Sequence, residues 1–451
     1  MTFSKVLIAN RGEIALRVIR SLKELGIRTA AIYSEADTAC LHKELADEAH
    51  LIGPPPAVKS YLNAPRIVEL ARDIGADAVH PGYGFLAENA EFAELCEQAG
   101  LTFIGPTPQN MRLAGDKLTA RKTVEGAGLP VVPGSDQGLL NLEETIEACA
   151  ALGYPLMLKA SAGGGGRGMR ILNSEHDLVE DFAMAAAEAR AAFGDPTLYV
   201  ERYIVRPRHI EVQVLADGNG DVIHLLERNC SVQRRHQKLI EEAPSPDLDP
   251  DVRRAIHATA VNVAKAIGYR NAGTVEFLLD DDNRFYFMEL NARIQVEHPV
   301  TEMITGRDLI RAQLSIASGN GIGFRQEDVQ QKGHAIECRI NAEDPELEFL
   351  PSPGTIDRFL SPGGFGVRFD THLYPGYDIP IYYDSLLGKL IAWGDSRPDA
   401  IRTMERVLQE LQIEPVKTTT PFLLEVIRHD DFISGKYRLD LVESLIGPME
   451  D

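Results

Sequence analysis

Through the first hundred residues, short apolar runs alternate with stretches of helical periodicity, and no other feature restricts the fold as much. Residues 5–10 (KVLIAN) read as a buried strand. Residues 13–25 set Ile14, Leu16, Val18, Ile19, Leu22 and Leu25 at roughly helical spacing, and Gly26 stops the helix. RTAAIY is a second strand, 64–74 a helix, DAVHPGYG a strand running into a loop, 87–99 a helix closed by Gly100, and TFIGP another strand. Strand–helix–strand units with links this short predict a doubly wound parallel sheet.

The pattern then changes. Residues 113–128 read as helical, and LPVVPGSDQG is a Pro/Gly break suited to a hinge. Residues 150–204 read as a compact unit: strand PLMLKAS, a glycine loop, strand GMRIL, a long Ala/Glu-rich helix over 175–192 and strand TLYVERYI. Beyond it the signals turn antiparallel. HIEVQVLADGNGDVIHLLE is a hairpin with Gly218-Asn219-Gly220 at its turn, and TVEFLLDDDNRFYFMELN is a second, turning at Asp281–Asn283. The tail from about 420 reads as helices without chemistry.

A chain of 451 residues predicts two or three lobes, because single cores stop growing near roughly 250–300 residues. The formal net charge of −21, from 46 basic and 67 acidic residues, excludes nucleic acid and anionic membrane as expected partners. A phosphate-bearing ligand must then meet a local basic or backbone-amide site. The 5 cysteines (Cys40, Cys96, Cys149, Cys230 and Cys338) are scattered without a CxxC pair. That predicts a reducing compartment, with neither a disulfide framework nor a thiolate zinc site. The opening MTFSKVLIANRGEIALRV lacks a signal-peptide layout, and no apolar run is long enough to span a membrane, so a cytoplasmic location is expected.

The sharpest local feature is Lys159 and the glycine loop that runs from it to Gly168. Glycines let backbone N–H groups approach a polyphosphate and form an anion nest, and Lys159 adds a point charge. The loop is neither a Walker A sequence nor a dinucleotide fingerprint. Its plain alternative is a hairpin tip at the surface. Glu276 and Glu289 flank the second hairpin with their midpoint at its turn, so regular pairing sets them opposite each other, about 5 Å apart. Such carboxylates repel unless a cation lies between them, and all-oxygen ligation suits Mg²⁺ or Mn²⁺. A register one residue off would leave both merely solvated.

From Glu289 onward, Asn291, Arg293, Gln295 and Glu297 alternate with Leu290, Ala292, Ile294 and Val296. On an extended strand all five polar groups line one face, which reads as an active-site wall or, more plainly, as the wet side of an amphipathic strand. Arg228, Arg234, Arg235, His236 and Lys238 form a cationic island in an acidic chain. It suits bicarbonate or nucleotide phosphates, unless it is paired with Glu241 and Glu242 just downstream. Cys230 reads as structural, and His80 and His209 as core or loop histidines.

KASAGGGGRGMR, CSVQRRHQK, EEAPSP and above all ELNARIQVEHPVTEMITG, together with IANRGEIALR and HPGYGFLAEN, resemble the biotin carboxylases. The likeness runs from residue 4 to about 440, with the motifs in order. It implies an α/β and α+β multidomain chain of the ATP-grasp kind. A Rossmann-like N-terminal biotin carboxylase domain (pre-ATP-grasp) would cover 1–112, a helical linker 113–130, a lid 131–203, the catalytic core 204–330 and a C-terminal biotin carboxylase domain 331–451.

By the same resemblance, Lys117, Lys159, Gly165, Gly166, Glu201, His209 and His236 contact ATP, and Arg202, Tyr203 and Ile204 reach the adenine through backbone groups. Glu276 and Glu289 belong to the ATP site and, with Asn291, hold two Mg²⁺ or Mn²⁺ ions. Lys238, Arg293 and the backbone at Val296 form a bicarbonate pocket, Glu297 is the general base, and Arg339 faces the biotin ureido group. Two departures from the family pattern stand out: Ala162 replaces a glycine, which trims loop freedom without removing the nest, and Asn229 replaces an acidic residue, which removes a charge near the cationic island and bears on either its pairing or the environment of Lys238. No Ala-Met-Lys-Met biotin-attachment motif occurs. Biotin is therefore expected on a separate biotin carboxyl carrier protein, with separate carboxyltransferase subunits and a homodimeric enzyme, most commonly as part of acetyl-CoA carboxylase. The competing readings are another ATP-grasp ligase and a non-catalytic nucleotide-binding subunit.

Overall fold

The computed structural model describes residues 3–161 and 169–447. The opening alternation folds as read. Strands β1 (Lys5–Ile8), β2 (Arg28–Ser34), β3 (Glu48–Gly53), β4 (Ala78–His80) and β5 (Thr102–Phe103) form a parallel sheet in the order β3-β2-β1-β4-β5. Val6, Leu7, Ile8 and all of β4 are buried, as strands covered on both faces must be. Helix Gly12–Glu24 packs Ile14, Val18, Ile19 and Leu22 into one cluster with Val6, Ile8 and Ala31. The chain leaves it through Gly26 at φ +71°, a left-handed conformation that glycine adopts at no steric cost. Strand β3 escaped sequence reading because it is a sheet edge: of EAHLIG only Ile52 is buried, so no apolar run marks it.

The helix expected over 113–128 is two helices, Pro108–Gly115 and Lys117–Gly126. Asp116 breaks them apart and caps the second, accepting the Thr119 N–H at 3.1 Å. The break turns Lys117 toward the central cleft. Next come β6 (Leu156–Ala160), β7 (Arg170–Leu172) and β8 (Leu198–Arg202), paired antiparallel in the order β7-β6-β8 and backed by helices Leu142–Leu152 and Glu175–Phe193. This lid has a separate apolar core that includes Cys149, Leu156, Leu158, Leu172, Leu178, Leu198 and Val200. Ala162, Gly165 and Gly166 lie outside the described residues.

The main sheet takes β9 (Arg208–Asp217), β10 (Val222–Arg234), β11 (Gln237–Ala243), β12 (Arg270–Leu279), β13 (Phe285–Asn291) and β14 (His334–Asn341). After the short β15 (Glu343–Asp344), β16 (Leu350–Pro351) and β17 (Arg358–Leu360), it adds β18 (Val367–Thr371) and β19 (Leu386–Gly394). The result is an antiparallel 8-stranded sheet in the order β13-β12-β9-β10-β11-β14-β19-β18. Its β11–β14 ladder runs straight across the 330/331 boundary expected between core and C-terminal domain. The tail is helical as read, and Leu439, Asp440 and Glu443 reach the cleft rim. Among the described residues no helix is long and apolar enough to cross a membrane, and all five cysteines are free and buried.

Candidate active site

A cleft of about 1860 Å³ opens between the N-terminal loops, the lid and the main sheet. Its wall gathers Lys117, Lys159, Glu201, Arg202, Tyr203, Ile204, His209, His236, Lys238, Glu276, Glu289, Asn291, Arg293, Val296 and Arg339, which are widely separated in the chain.

The floor is set by strand alternation. On β9, Ile210, Val212 and Val214 join the apolar core, while His209, Glu211 and Gln213 point the other way and are also buried. Glu211 stands opposite Glu276 of β12, and Glu276 opposite Glu289 of β13, a row of three carboxylates across adjacent strands. The Glu276–Glu289 pairing matches expectation, but a regular hairpin does not produce it. Phe277 pairs with Phe287, so Met288 is an extra residue that bulges out and carries Glu289 into place.

The repulsion expected of such a row is offset by the protein's own cations. Lys238 Nζ donates to Glu211 Oε2 at 2.6 Å, to Glu276 Oε1 at 3.0 Å and to Glu297 Oε1 at 2.6 Å. Fully buried Arg228 pairs with Glu211, and Lys117 lies 3.3 Å from Glu289. Burial alone would push the Glu211 carboxyl up, but Arg228 and Lys238 outweigh it and hold it at about 2. Burial likewise opposes ionisation of Glu276, and Lys238 and His209 bring it well below the ordinary carboxylate value.

The wall after Glu289 is not a strand. β13 ends at Asn291, and Glu297 sits at φ −80°, ψ 11° as the N-cap of helix His298–Thr305. The polar residues converge by contact instead. Arg293 donates to Asn291 Oδ1 at 3.1 Å and to Gln295 Oε1 at 3.0 Å, and Gln295 Nε2 donates to Glu276 Oε1 at 2.9 Å. Glu297 is fully buried beneath the cleft rather than lining it, gripped by Lys238 and by Arg339 Nη2 at 2.9 Å. Burial and the nearby Glu211 push its pKa up, yet Lys238, Arg339 and Arg228 prevail and leave it below the usual range. It is therefore ionised at neutral pH.

The cationic island divides. Hairpin β10–β11 turns on Arg235 and His236, at φ +46° and +64°, where the usual two-residue turn carries Asn-Gly. Arg228 points into the core, Arg234 lies over the Phe349 ring at 4.2 Å near Glu343, and only Arg235, His236 and Lys238 meet the cleft. Glu241 and Glu242 are engaged elsewhere: Glu241 accepts from Arg339 Nε at 2.6 Å, and Glu242 binds His334 at 2.5 Å and Arg397 at 2.7 Å. Burial, with Lys159 and Lys117 nearby, lowers the pKa of His236. The Asn229 side chain is buried, donating to Ser245 Oγ at 3.4 Å and accepting from Ser231 Oγ at 2.6 Å.

In the lid, Lys159 Nζ donates to Glu201 Oε2 at 2.6 Å. The N–H groups of Arg202 and Tyr203 are already bonded to the carbonyls of Pro133 and Pro155, so a ligand there must use carbonyls or the Ile204 peptide. His209 is buried, as the core reading had it, and also lines the cleft, with Nε2 3.0 Å from Glu276 Oε2 though not aligned as a hydrogen bond. His80 and Cys230 are core groups as read: burial takes the His80 imidazole down to about 4 and pushes the Cys230 thiol well up. Sequence reasoning missed Glu211 and Glu88. Polar residues at alternate positions of an otherwise apolar β9 could have marked Glu211. Glu88, which accepts from Ala292 N–H at 2.9 Å and Arg293 Nε at 3.0 Å, sits in a distant loop, within the HPGYGFLAEN motif that was quoted without giving it a role.

The cleft end of the carboxylate row has the donor type that a divalent cation takes. Glu289 is half-buried and open to the cleft, and with Asn291 and Glu276 it offers oxygen donors alone, which suits a hard dication. Beyond Glu276, the cation between Glu211, Glu276 and Glu297 is already Lys238.

Three family models match: "Biotin carboxylase, N-terminal domain" over residues 2–111, "Carbamoyl-phosphate synthase L chain, ATP binding domain" over 116–324, and "Biotin carboxylase C-terminal domain" over 337–444. The chain is 54% identical to a biotin carboxylase of Nostoc sp., over 99% of this chain and 100% of that one. It is 52% identical to a pyruvate carboxylase subunit of Methanothermobacter thermautotrophicus, over 98% and 90% respectively. The biotin carboxylase domain dimer of Hydrogenobacter thermophilus 2-oxoglutarate carboxylase, solved with MgADP, ADP and bicarbonate, superposes with a TM-score of 0.96 at 50% identity, covering 100% of both chains. With the N- and C-terminal domains matched as well as the ATP-binding part, the chain belongs to the biotin carboxylase family of ATP-grasp ligases.

Proposed function

We propose that this chain uses ATP and bicarbonate, with Mg²⁺ or Mn²⁺, to carboxylate biotin on a separate carrier protein, as the first half-reaction of an acetyl-CoA carboxylase that makes malonyl-CoA for fatty acid synthesis. The observation that carries the chemistry is Glu297: a buried carboxylate kept ionised by Lys238 and Arg339, under a cleft that also holds Lys117, Lys159 and His236.

Lys117, Lys159, Glu201, His209, His236 and the backbone of 202–204 bind the nucleotide, and the glycine segment with Gly165 and Gly166 cradles its phosphates. Glu276, Glu289 and Asn291 would hold the divalent metal, which neutralises charge on the transferring phosphoryl group. Bicarbonate enters between Lys238, Arg293 and the Val296 backbone, and takes over cations that Glu297 otherwise shares. Glu297 removes its proton, and the freed oxygen attacks the γ-phosphorus to give carboxyphosphate and ADP. Carboxyphosphate breaks down to CO₂ and phosphate, phosphate takes the biotin N1′ proton, Arg339 stabilises the ureido oxyanion, and N1′ attacks CO₂ to give carboxybiotin. Water must be excluded throughout, which is the work of the lid.

A homodimer is part of the reading, supported by the dimeric 2-oxoglutarate carboxylase neighbour and by Phe365, 89% exposed beside Trp393. A cytoplasmic location agrees with five unpaired cysteines. A second reading, the same half-reaction for pyruvate or 2-oxoglutarate carboxylation, is favoured by relatives of those names at 52% and 50% identity.

The test is ATP hydrolysis with Mg²⁺ and bicarbonate, with and without free biotin, for the wild type and Glu297→Ala. Biotin-stimulated turnover that the substitution abolishes is expected; turnover indifferent to biotin and bicarbonate would overturn the reading. Labelled bicarbonate offered to the native complex with acetyl-CoA, pyruvate or 2-oxoglutarate identifies the acceptor.

A further inference from the structure

One buried lysine behind the cleft touches the turn that carries Glu297. Lys389 lies on β19, opposite Arg339 of β14, and is fully buried. Its ammonium donates to the Val296 carbonyl at 2.9 Å and lies 3.1 Å from Glu13 Oε1. Glu13 belongs to the first turn of helix Gly12–Glu24, and the same oxygen accepts a hydrogen bond from the Tyr83 hydroxyl. The C-terminal sheet, the N-terminal helix and the loop after β4 thus meet at one ammonium group.

A buried lysine–glutamate pair is costly to desolvate and gives little net stability for its own sake. This one also holds a backbone carbonyl in a segment that has left the β-ladder and has only begun the next helix. The peptide unit is planar. Fixing the Val296 carbonyl therefore fixes the plane from which Glu297 departs, and with it the direction of the carboxylate.

We propose that Lys389, braced by Glu13, is a positioning residue for the reaction: its bond to the Val296 carbonyl aims Glu297 and orients the backbone that bounds the bicarbonate pocket. The inference rests on the function proposed above. It makes the base sensitive to the relative position of the N-terminal helix and the C-terminal sheet, neither of which carries it.

Lys389→Met keeps the aliphatic stem but strands the Glu13 carboxylate, so the variant to measure is Lys389→Met with Glu13→Gln, which leaves no unpaired charge in that pair. Folding is checked by thermal unfolding and nucleotide binding by calorimetry with MgADP. We expect a folded protein with wild-type MgADP affinity, a raised KM for bicarbonate and a kcat for biotin-stimulated ATP hydrolysis lowered roughly 10- to 100-fold, the scale of a misplaced catalytic group. A folded double variant with wild-type kcat and bicarbonate KM overturns the proposal. So does a parallel loss of MgADP affinity, or failure to fold, because either makes Lys389 a general structural residue. A wild type without biotin-stimulated turnover would instead strike the function on which the inference rests.

Discussion

In the lid, three strands and two helices close on their own apolar core, and the ion pair it presents to the cleft, Lys159 with Glu201, has both partners inside the lid. At the centre of the main sheet, Glu211, Glu241, Glu276 and Glu297 are buried among Arg228, Lys238 and Arg339, and their bonds join segments far apart in the chain. A unit with its own core and its own charge balance can shift as a body without stranding a group. A centre in which each cation serves several carboxylates has no such freedom, because removing one group leaves the others buried and unpaired. The packing thus leaves the lid free to move and places the proposed chemistry on a fixed centre.

The strongest challenge to that division is Glu297→Gln, which keeps volume and removes the carboxylate proposed as the base. Biotin-stimulated ATP hydrolysis should fall by about 10²- to 10⁴-fold, with the fold intact by thermal unfolding. Near-wild-type turnover would mean that the buried centre does not carry the chemistry. Lys238→Met should next cost roughly 3–5 kcal/mol of stability, read by denaturant unfolding, since three glutamates lose a shared partner.

Leu158→Ala cuts the lid's core and should cost about 2–5 kcal/mol there. Hydrogen exchange should show the lid opening while the main sheet keeps its protection; loss of protection in both would show the lid is not independent. Acidity sharpens the contrast on the other side. Burial pushes the Glu241 carboxyl up to about 7, with Glu297 adding to it and Arg339 opposing. Because the folded state then holds a proton that the unfolded chain has released, stability is fully present below the ordinary carboxylate pKa and is lost as pH rises through about 7. The expected loss is on the order of 3 kcal/mol, measured by unfolding across that range, and Glu241→Gln should flatten it. The smallest effect should come from Arg170→Ala, which breaks a half-exposed lid pair with Glu188 and should change stability by less than about 1 kcal/mol.

The N-terminal parallel sheet was legible because its strands are buried apolar runs and its helices end on glycines. Its edge strand β3 was not, since edges need no apolar run. At the site, position along the hairpin brought Glu276 and Glu289 together in advance, but the turn centres on Asp282 rather than between Asp282 and Asn283, and the bulge at Met288, which has no local signature, makes up the difference. The five-residue wall was misread as a strand because alternation alone carries no information about where β13 stops; helix His298–Thr305 starts there instead. Lys238 was marked by the cationic island, but Arg339 entered only through the family likeness. Their grip on Glu297 depends on contacts between strands that no short stretch of sequence contains.

The ladder joining β11 to β14 also determines where this molecule can be divided. A cut near residue 330 lies in a plausible linker, but it would pull two neighbouring strands apart and leave each with a row of unpaired N–H and C=O groups. Exposed edges of that kind recruit other strands, and the fragments would be prone to associate or precipitate. The same cut would separate Glu241 from Arg339. Shortened versions for binding studies should therefore keep the sheet whole, while the lid, joined by its own flanking segments, is the part that can be exchanged.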